Sequence, residues 1–443
     1  MEYYKKIEQE EQYDVVVVGG GPAGICAAVS SARQKADTLL IERLGVVGGM
    51  MTAGHVDPIL GAVSEGTMYD EVVTLLARNH PESVPKVTRN GREIPVDPEE
   101  AKTLLADLVH DSGARLYLQT SVIDVIKDGS RVEGVILTTP RGLMAVRAKC
   151  VIDATGDGYV AAMAGAKFHV GRESDGHCQP CTLEFVIDQV DESRALTCFG
   201  GSDPVCLPDG RGYVKLCNEA NERGELPENV AVVRLHKTHY PGERSVNASQ
   251  ANRFDTLSLE GISQAAHILR GQTRPIVEFL RKNVPGYENC RVKSSADVLG
   301  VRETRRICGE YTLQDGDVEH GARFEDVVVH KAWFLIDIHN PVGGGQAERH
   351  SQPAVPYDIP YGCLIPEGLD GLLVAGRCIS GTHRAHASYR VMAICMAVGE
   401  AAGVGAALSA GKGCEPRQVT AKEIQKVLAE RGVVLFDDEK PVA

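Results

Sequence analysis

Four consecutive valines, Val15 to Val18, follow Tyr13 and Asp14. A β-branched run without polar alternation is the pattern of a strand buried on both faces, as in a parallel sheet. Thr38-Leu39-Leu40-Ile41 repeats that pattern, and the small-residue run 23–32 between them has helical length. Asp97-Pro98-Glu99-Glu100 then signals a helix start. Leu104, Leu105, Leu108 and Val109 recur at helical spacing, so a helix is predicted to about Asp111. Alternating strands are predicted at 115–119, 122–127, 131–139 and 143–147, with turns at Asp128-Gly129 and Arg141-Gly142. Further strands are predicted at 150–153, 182–187 and 372–374, and a long small-residue helix at 389–409. The alternation of strands and helices, followed by consecutive strands, predicts an α/β fold: a parallel sheet that carries a β-meander.

The first strand runs directly into Gly19-Gly20-Gly21-Pro22-Ala23-Gly24. This is G-x-G-x-x-G in the strand–turn–helix setting that dinucleotide binding requires. Gly19 permits the tight turn and Gly21 lets backbone approach a pyrophosphate. Gly24 lets the helix pack on the strand, Pro22 suits the first helical turn, and Ala23 follows it. The second strand ends in Glu42, whose carboxylate suits both ribose hydroxyls. A Gly-rich loop, 45–54, comes next. No second motif of this kind completes itself: the runs 343–348 and 403–408 both fail at the last position. A built-in second dinucleotide domain is not expected.

Composition adjusts this picture modestly. At roughly 100–200 residues per domain, 443 residues make two or three domains. Basic residues number 47 against 60 acidic ones, a formal net charge of −13, which argues against a nucleic-acid partner. No apolar run approaches the length of a membrane span, so none is expected. The 13 cysteines are scattered and residues 1–8 show no secretory pattern. Reduced thiols and a cytoplasmic location are the expectation.

Several segments, taken together, resemble a known family. They are Gly48-Gly49-Met50, Asp153-Ala154-Thr155-Gly156-Asp157, Gln179-Pro180-Cys181-Thr182-Leu183 and Gly300-Val301-Arg302-Glu303-Thr304-Arg305-Arg306. Ile359-Pro360-Tyr361-Gly362, Gly376-Arg377-Cys378-Ile379-Ser380 and Ser388-Tyr389-Arg390-Val391-Met392 complete the set. The chain resembles FAD-dependent oxidoreductases of the two-dinucleotide-fold class, especially the group distantly related to fumarate reductase flavoproteins. That resemblance implies a Rossmann-like FAD-binding domain split in sequence, 1–167 and 351–443. An α+β substrate domain, 168–350, would be inserted into it, with the active site between the two. FAD contacts are expected from Gly19, Gly21, Pro22, Ala23, Gly24, Glu42, Arg43, Gly48, Gly49, Met50, Thr52 and Val122. Ala154, Thr155, Gly156, Asp157, Gly376, Arg377, Arg390, Val391 and Met392 complete the expected cofactor site. The last long helix would point its N-terminus at the flavin, where it stabilises negative charge.

The polar cluster Thr382-His383-Arg384-Ala385-His386 offers two histidines for proton transfer, and Tyr361 offers a hydroxyl. Arg302 or Arg305 could clamp a carboxylate, or the run 302–306 could be an ion-pair network with Glu303 that holds the insertion. Cys178 and Cys181 form C-x-x-C, read as two thiols near the cleft in preference to a redox dithiol or a metal site. His55, just after the Gly-rich loop, is expected to be a non-covalent loop residue near the flavin in preference to a point of covalent attachment. The function these residues support is hydride transfer between flavin N5 and a CH–OH or CH–CH carbon of a small polar, anionic or hydroxylated molecule. A separate electron donor or acceptor would complete the cycle, and self-association is left open. Two other readings stand: a non-redox enzyme that uses the fold to bind NAD, as thiazole-biosynthesis proteins do, and a flavin-binding sensor or partner subunit.

Overall fold

A computed structural model of the chain describes residues 6–437 apart from 8, 81–85, 89–90, 202 and 346–353. Positions 346–348 of the run 343–348 therefore lie outside the described residues. The chain opens with β1 (Gln9–Val18), α1 (Pro22–Arg33) and β2 (Thr38–Ile41). Next come α2 (Met68–Leu76), a hairpin of β3 (Lys86–Thr88) and β4 (Gly91–Glu93), α3 (Pro98–Asp111) and β5 (Arg115–Tyr117). The meander is β6 (Val122–Asp128), β7 (Arg131–Thr139) and β8 (Gly142–Asp153), followed by α4 (Tyr159–Ala164) and β9 (Phe168–Val170). A middle stretch holds β10 (Phe185–Asp188), α5 (Tyr213–Glu222), β11 (Arg234–Lys237), β12 (Arg244–Asn247), α6 (Leu259–Asn283) and β13 (Arg291–Ser295). The chain returns through β14 (Arg305–Ile307), α7 (Asp315–His320), β15 (Val327–Ala332), β16 (Tyr357–Pro360) and β17 (Leu372–Val374). It ends with α8 (His383–Tyr389), α9 (Met392–Lys412) and α10 (Ala421–Glu430).

One sheet organises both ends of the chain. Its order is β5-β2-β1-β8-β7-β6, with β17 also paired to β8. Strands β5, β2, β1, β8 and β17 run parallel, and β7 and β6 return antiparallel. The sequence reading made two strands of 143–147 and 150–153; the structure makes them one, β8. Its first half pairs β7 and alternates buried with exposed positions. From Cys150 to Asp153 every residue is buried, because Val151 to Asp153 gain β17 as a neighbour. The change of hydrophobic pattern marks a change of neighbour within one strand. The other long element differs the opposite way. The predicted helix 389–409 begins at Met392, and α8 precedes it across an extended Val391. The segment around His383 is thus helix, with Thr382 as its N-cap accepting from the Ala385 N–H.

Helices α1 and α9 pack backbone against backbone. A Cβ at Gly399 would lie 2.0 Å from the Ala23 carbonyl oxygen, and one at Gly403 would lie 2.2 Å from that of Ala27. Helix α9 is long and apolar enough to cross a membrane, yet 94% of its apolar window is buried within the protein. Its buried Glu400 accepts from the Met68 N–H at the start of α2 and pairs with Arg431.

The middle of the chain has its own sheet, β11-β12-β10-β13. Phe185, Leu216, Leu235 and Leu280 anchor one core there, and Cys181, Leu183, Leu269 and Leu299 a smaller one. Ile307, Leu313, Val329 and Ile338, by contrast, join the main core. The unit with its own core spans about 181–301, narrower than the expected 168–350.

Replacing Gly403 by Ala should lower stability by about 1–3 kcal/mol, because the added methyl meets backbone that cannot give way. Gly411 in the same helix has nothing within 4 Å, so Gly411→Ala should be neutral or stabilising. Urea midpoints of the two variants test this; equal midpoints would contradict the backbone contact.

Candidate active site

The motif at 19–24 folds as its spacing requires. Gly19 sits at φ +101°, where side chains are strained, and a Cβ there would lie 2.6 Å from the Ala154 carbonyl. A Cβ at Gly24 would come within 1.7 Å of the Gly19 carbonyl, so α1 stands directly on β1. Gly21 is different: its Cβ position faces open space, with nothing within 4 Å. The N-terminus of α1 has no side-chain cap and carries Pro22 in its first turn. Its amides are available to a ligand in front of Gly21.

Around this cradle Glu42 ends β2, 6% exposed, and its two oxygens accept from the N–H groups of Gly20 (2.6 Å) and Leu44 (2.8 Å). Arg43 is exposed at the rim. The Gly48 N–H donates to the Gly20 carbonyl, which lays the 45–54 loop along the turn, and Gly49 lies against Gly21. Met50 is half-buried. The Thr52 hydroxyl already donates to the Val47 carbonyl at 2.6 Å, so this residue shapes the loop and does not offer its hydroxyl outward. Val122 is buried at the start of β6.

Beyond β8, buried Asp153 holds the Thr155 hydroxyl (2.7 Å) and the Ala161 N–H (2.9 Å). Ala154 packs beneath Gly24. Gly156 lies under the Arg377 guanidinium, which pairs with Asp157 at 2.5 Å. Gly376 touches Ala23 and Cys395, so the first turns of α1 and α9 meet at one corner. Val391 and Met392 form the start of α9, which also has no side-chain cap.

Beside that start lies a half-buried charged cluster. The Arg390 Nη2 donates to Asp337 Oδ2 at 3.0 Å and to the Asp337 carbonyl at 3.1 Å. His339 Nε2 is 3.2 Å from the same carboxylate, and the His339 N–H donates to Gln179 Oε1. Arg302 Nη1 donates to the Pro180 carbonyl at 2.8 Å. Burial and neighbouring Arg390 pull Arg302 down to about 10. Burial, then Arg302, pulls His339 down to about 3, so its ring is neutral. Burial alone would raise Asp337; His339 and Arg390 outweigh it and hold the carboxyl well below its usual range. Arg234 adds a third guanidinium to this neighbourhood.

His383 borders the cluster. Its Nδ1 faces Glu303 Oε1 at 2.9 Å, while Nε2 has no hydrogen-bond partner among the described residues. Glu303 is fully buried, pairs with Arg306 and accepts from the Gln179 N–H. Three candidates from the sequence fall elsewhere. Tyr361 donates to the Pro416 carbonyl and packs on Gly405. Gly405 lies thirteen residues into α9, about 20 Å from its start, so Tyr361 is a core residue remote from the cluster. Arg305 donates to the Asp157 carbonyl and lies 5.2 Å over the Phe168 ring, bracing the turn after β8. His386 is fully buried between Tyr389 and arginines; burial, then Arg306, holds it well below its usual value.

His55 is buried and held below its usual value by that burial. Cys178 and Cys181 remain thiols, pushed up by burial to about 12 and about 11. They line a cavity of about 360 Å³ with Phe254, Leu257 and Thr304. Sequence reasoning missed Asp337, His339 and Arg234. The only local hint was Asp337-Ile338-His339, whose alternation puts both polar residues on one side.

A split parallel sheet with this cradle defines a dinucleotide-binding flavoprotein. Residues 14–428 match the family described as FAD dependent oxidoreductase, and the chain belongs to that family. FAD is its cofactor. It is 30% identical over 235 residues to the digeranylgeranylglycerophospholipid reductase of Picrophilus torridus, covering 48% of this chain and 56% of that protein. It is 30% identical over 168 residues to the thiamine thiazole synthase of Aeropyrum pernix, covering 35% of this chain and 58% of that protein. The chain thus spans little more than half the length of these relatives. A solved geranylgeranyl bacteriochlorophyll reductase-like protein from Thermoplasma acidophilum superposes with a TM-score of 0.50 at 16% identity. That match covers 95% of this chain and 84% of the other, and it shows the fold. The residues present fit FAD: open space at Gly21, two helix starts without side-chain caps, Glu42 at the end of β2, and an orphaned buried Arg390 Nε.

Gly21→Val should fold normally, since its side chain meets no protein atom, but should purify without flavin. The absorbance ratio of flavin to protein reads this, with urea midpoints confirming the fold. Full flavin occupancy would place the pyrophosphate elsewhere.

Proposed function

We propose that this oxidoreductase moves a hydride between flavin N5 and a carbon of a small carboxylate-bearing substrate held between the main sheet and the inserted unit. One observation carries this reading. Arg234, Arg302 and Arg390 gather about Asp337, with His339 neutral, while Glu303, which also faces Arg390, is already paired with Arg306. Cations outnumber anions in this half-buried cluster, and such a surplus is costly unless an anion completes it. Planar guanidinium groups suit carboxylate oxygens in bidentate fashion.

Bound FAD supplies the hydride exchange. Arg302 and Arg390 orient the substrate carboxylate. Asp337 fixes the Arg390 guanidinium, and the Gln179–His339 contact fixes the stretch whose Pro180 carbonyl holds Arg302. Glu303 orients the His383 ring so that Nδ1 carries the proton and Nε2 is left basic. His383 Nε2 then takes or returns the proton that accompanies the hydride. With no second G-x-G-x-x-G in the chain, a separate donor or acceptor closes the redox cycle.

Anaerobic mixing of the yellow holoenzyme with a panel of 2-hydroxy and saturated carboxylic acids should bleach the flavin. Matched neutral alcohols and amides should not. Arg302→Lys should raise KM at least 30-fold, the loss of about 2 kcal/mol expected when a bidentate buried ion pair is broken. His383→Asn should lower the rate of reduction about 100-fold or more at unchanged flavin content. Equal bleaching by neutral analogues would overturn the carboxylate reading.

A further inference from the structure

Two buried carboxyl groups next to this cluster take no part in the chemistry above. Asp57 follows the Gly-rich loop and is 5% exposed; Glu184 immediately precedes β10 and is 2% exposed. Asp57 Oδ1 accepts from the Val96 N–H at 3.0 Å, and its Oδ2 has no partner. Glu184 Oε2 also has none, although the Asp57 backbone N–H faces its carboxylate. Neither makes a hydrogen-bonded ion pair among the described residues. The charged groups that face them are Asp97 beside Asp57, and Arg302 and Arg234 beside Glu184. Two adjacent carboxyl groups out of water, without a cation in contact, cannot both ionise. Burial accordingly raises both, each to about 8.

We propose that Asp57 and Glu184 set the charge of the substrate site: with both protonated the Arg234–Arg302–Arg390 surplus stays intact for an anionic substrate, and the one negative charge the pair takes up on losing a proton reduces it. This rests on the carboxylate reading above. Because Glu184 lies next to Arg302, one negative charge gained there competes with the substrate for the same guanidinium. The pair thereby imposes an alkaline limit on anion binding that no residue touching the substrate needs to supply.

The test uses the oxidised holoenzyme with malonate as probe, its binding read from the flavin spectrum between pH 6 and 9.5. Wild type should bind about tenfold more weakly at pH 9 than at pH 7. Glu184→Gln and Asp57→Asn should flatten that dependence. Parallel pH profiles in wild type and both variants would overturn the proposal. A second readout needs neither flavin chemistry nor malonate. A carboxyl kept protonated by the fold contributes stability that is whole below its unfolded value of about 4 and is lost as pH rises through about 8. Urea midpoints of wild type should therefore fall further between pH 5 and 9 than those of Glu184→Gln. Failure of malonate to bind at any pH would sink the carboxylate reading, whereas equal midpoint slopes would sink the charge-setting pair.

Discussion

Everything in this molecule hangs on the contact between α1 and α9. Two helices whose backbones touch leave no room for side chains between them, so glycine at 399 and 403 is a steric condition of the fold. That contact fixes where α9 starts relative to α1. It brings two helix N-termini, each without a side-chain cap, to one corner, with Gly376 as the wedge between them. A dinucleotide with a charged middle and a redox-active end finds both of its electrostatic needs met by backbone. Glu400, buried on the same helix, ties this corner to α2 and to the end of α10.

The second constraint is charge. The inserted unit brings Arg234, Glu184, Gln179 and Arg302 against Asp337, His339 and Arg390 from the returning chain. The hydrogen bond from the His339 N–H to Gln179 Oε1 joins the two segments. Residues 178–181 all line the cavity, and Gln179 and Pro180 also bond to His339 and Arg302 of the cluster.

What could be read without coordinates was local. The turn at 19–24, the strands flanking it and Glu42 are specified by neighbours in sequence, because a turn and its helix cap are decided within a few residues. The change along β8 was visible as a change of pattern, but not its cause, since β17 lies more than 200 residues away. The break at Val391 carries no glycine or proline, so nothing in composition marks it. The catalytic candidates fared worse for the same reason. Tyr361 and Arg305 stand in motifs that fit the family, yet tertiary packing spends the one on Pro416 and the other on the turn after Asp153. Asp337 and His339 gain meaning only from Arg390 and Gln179, which reach them through the fold.

The pairing of β17 with the C-terminal half of β8 has a consequence for biogenesis. On the ribosome, Val151 to Asp153 emerge long before Leu372 to Val374, and through that interval β8 presents a bare, apolar edge. Loop-closure entropy and high contact order make such a pairing slow. An unpaired hydrophobic edge also invites intermolecular strand addition. Nascent chains of this protein therefore carry an aggregation hazard that begins with β8 and ends with the arrival of Leu372 to Val374.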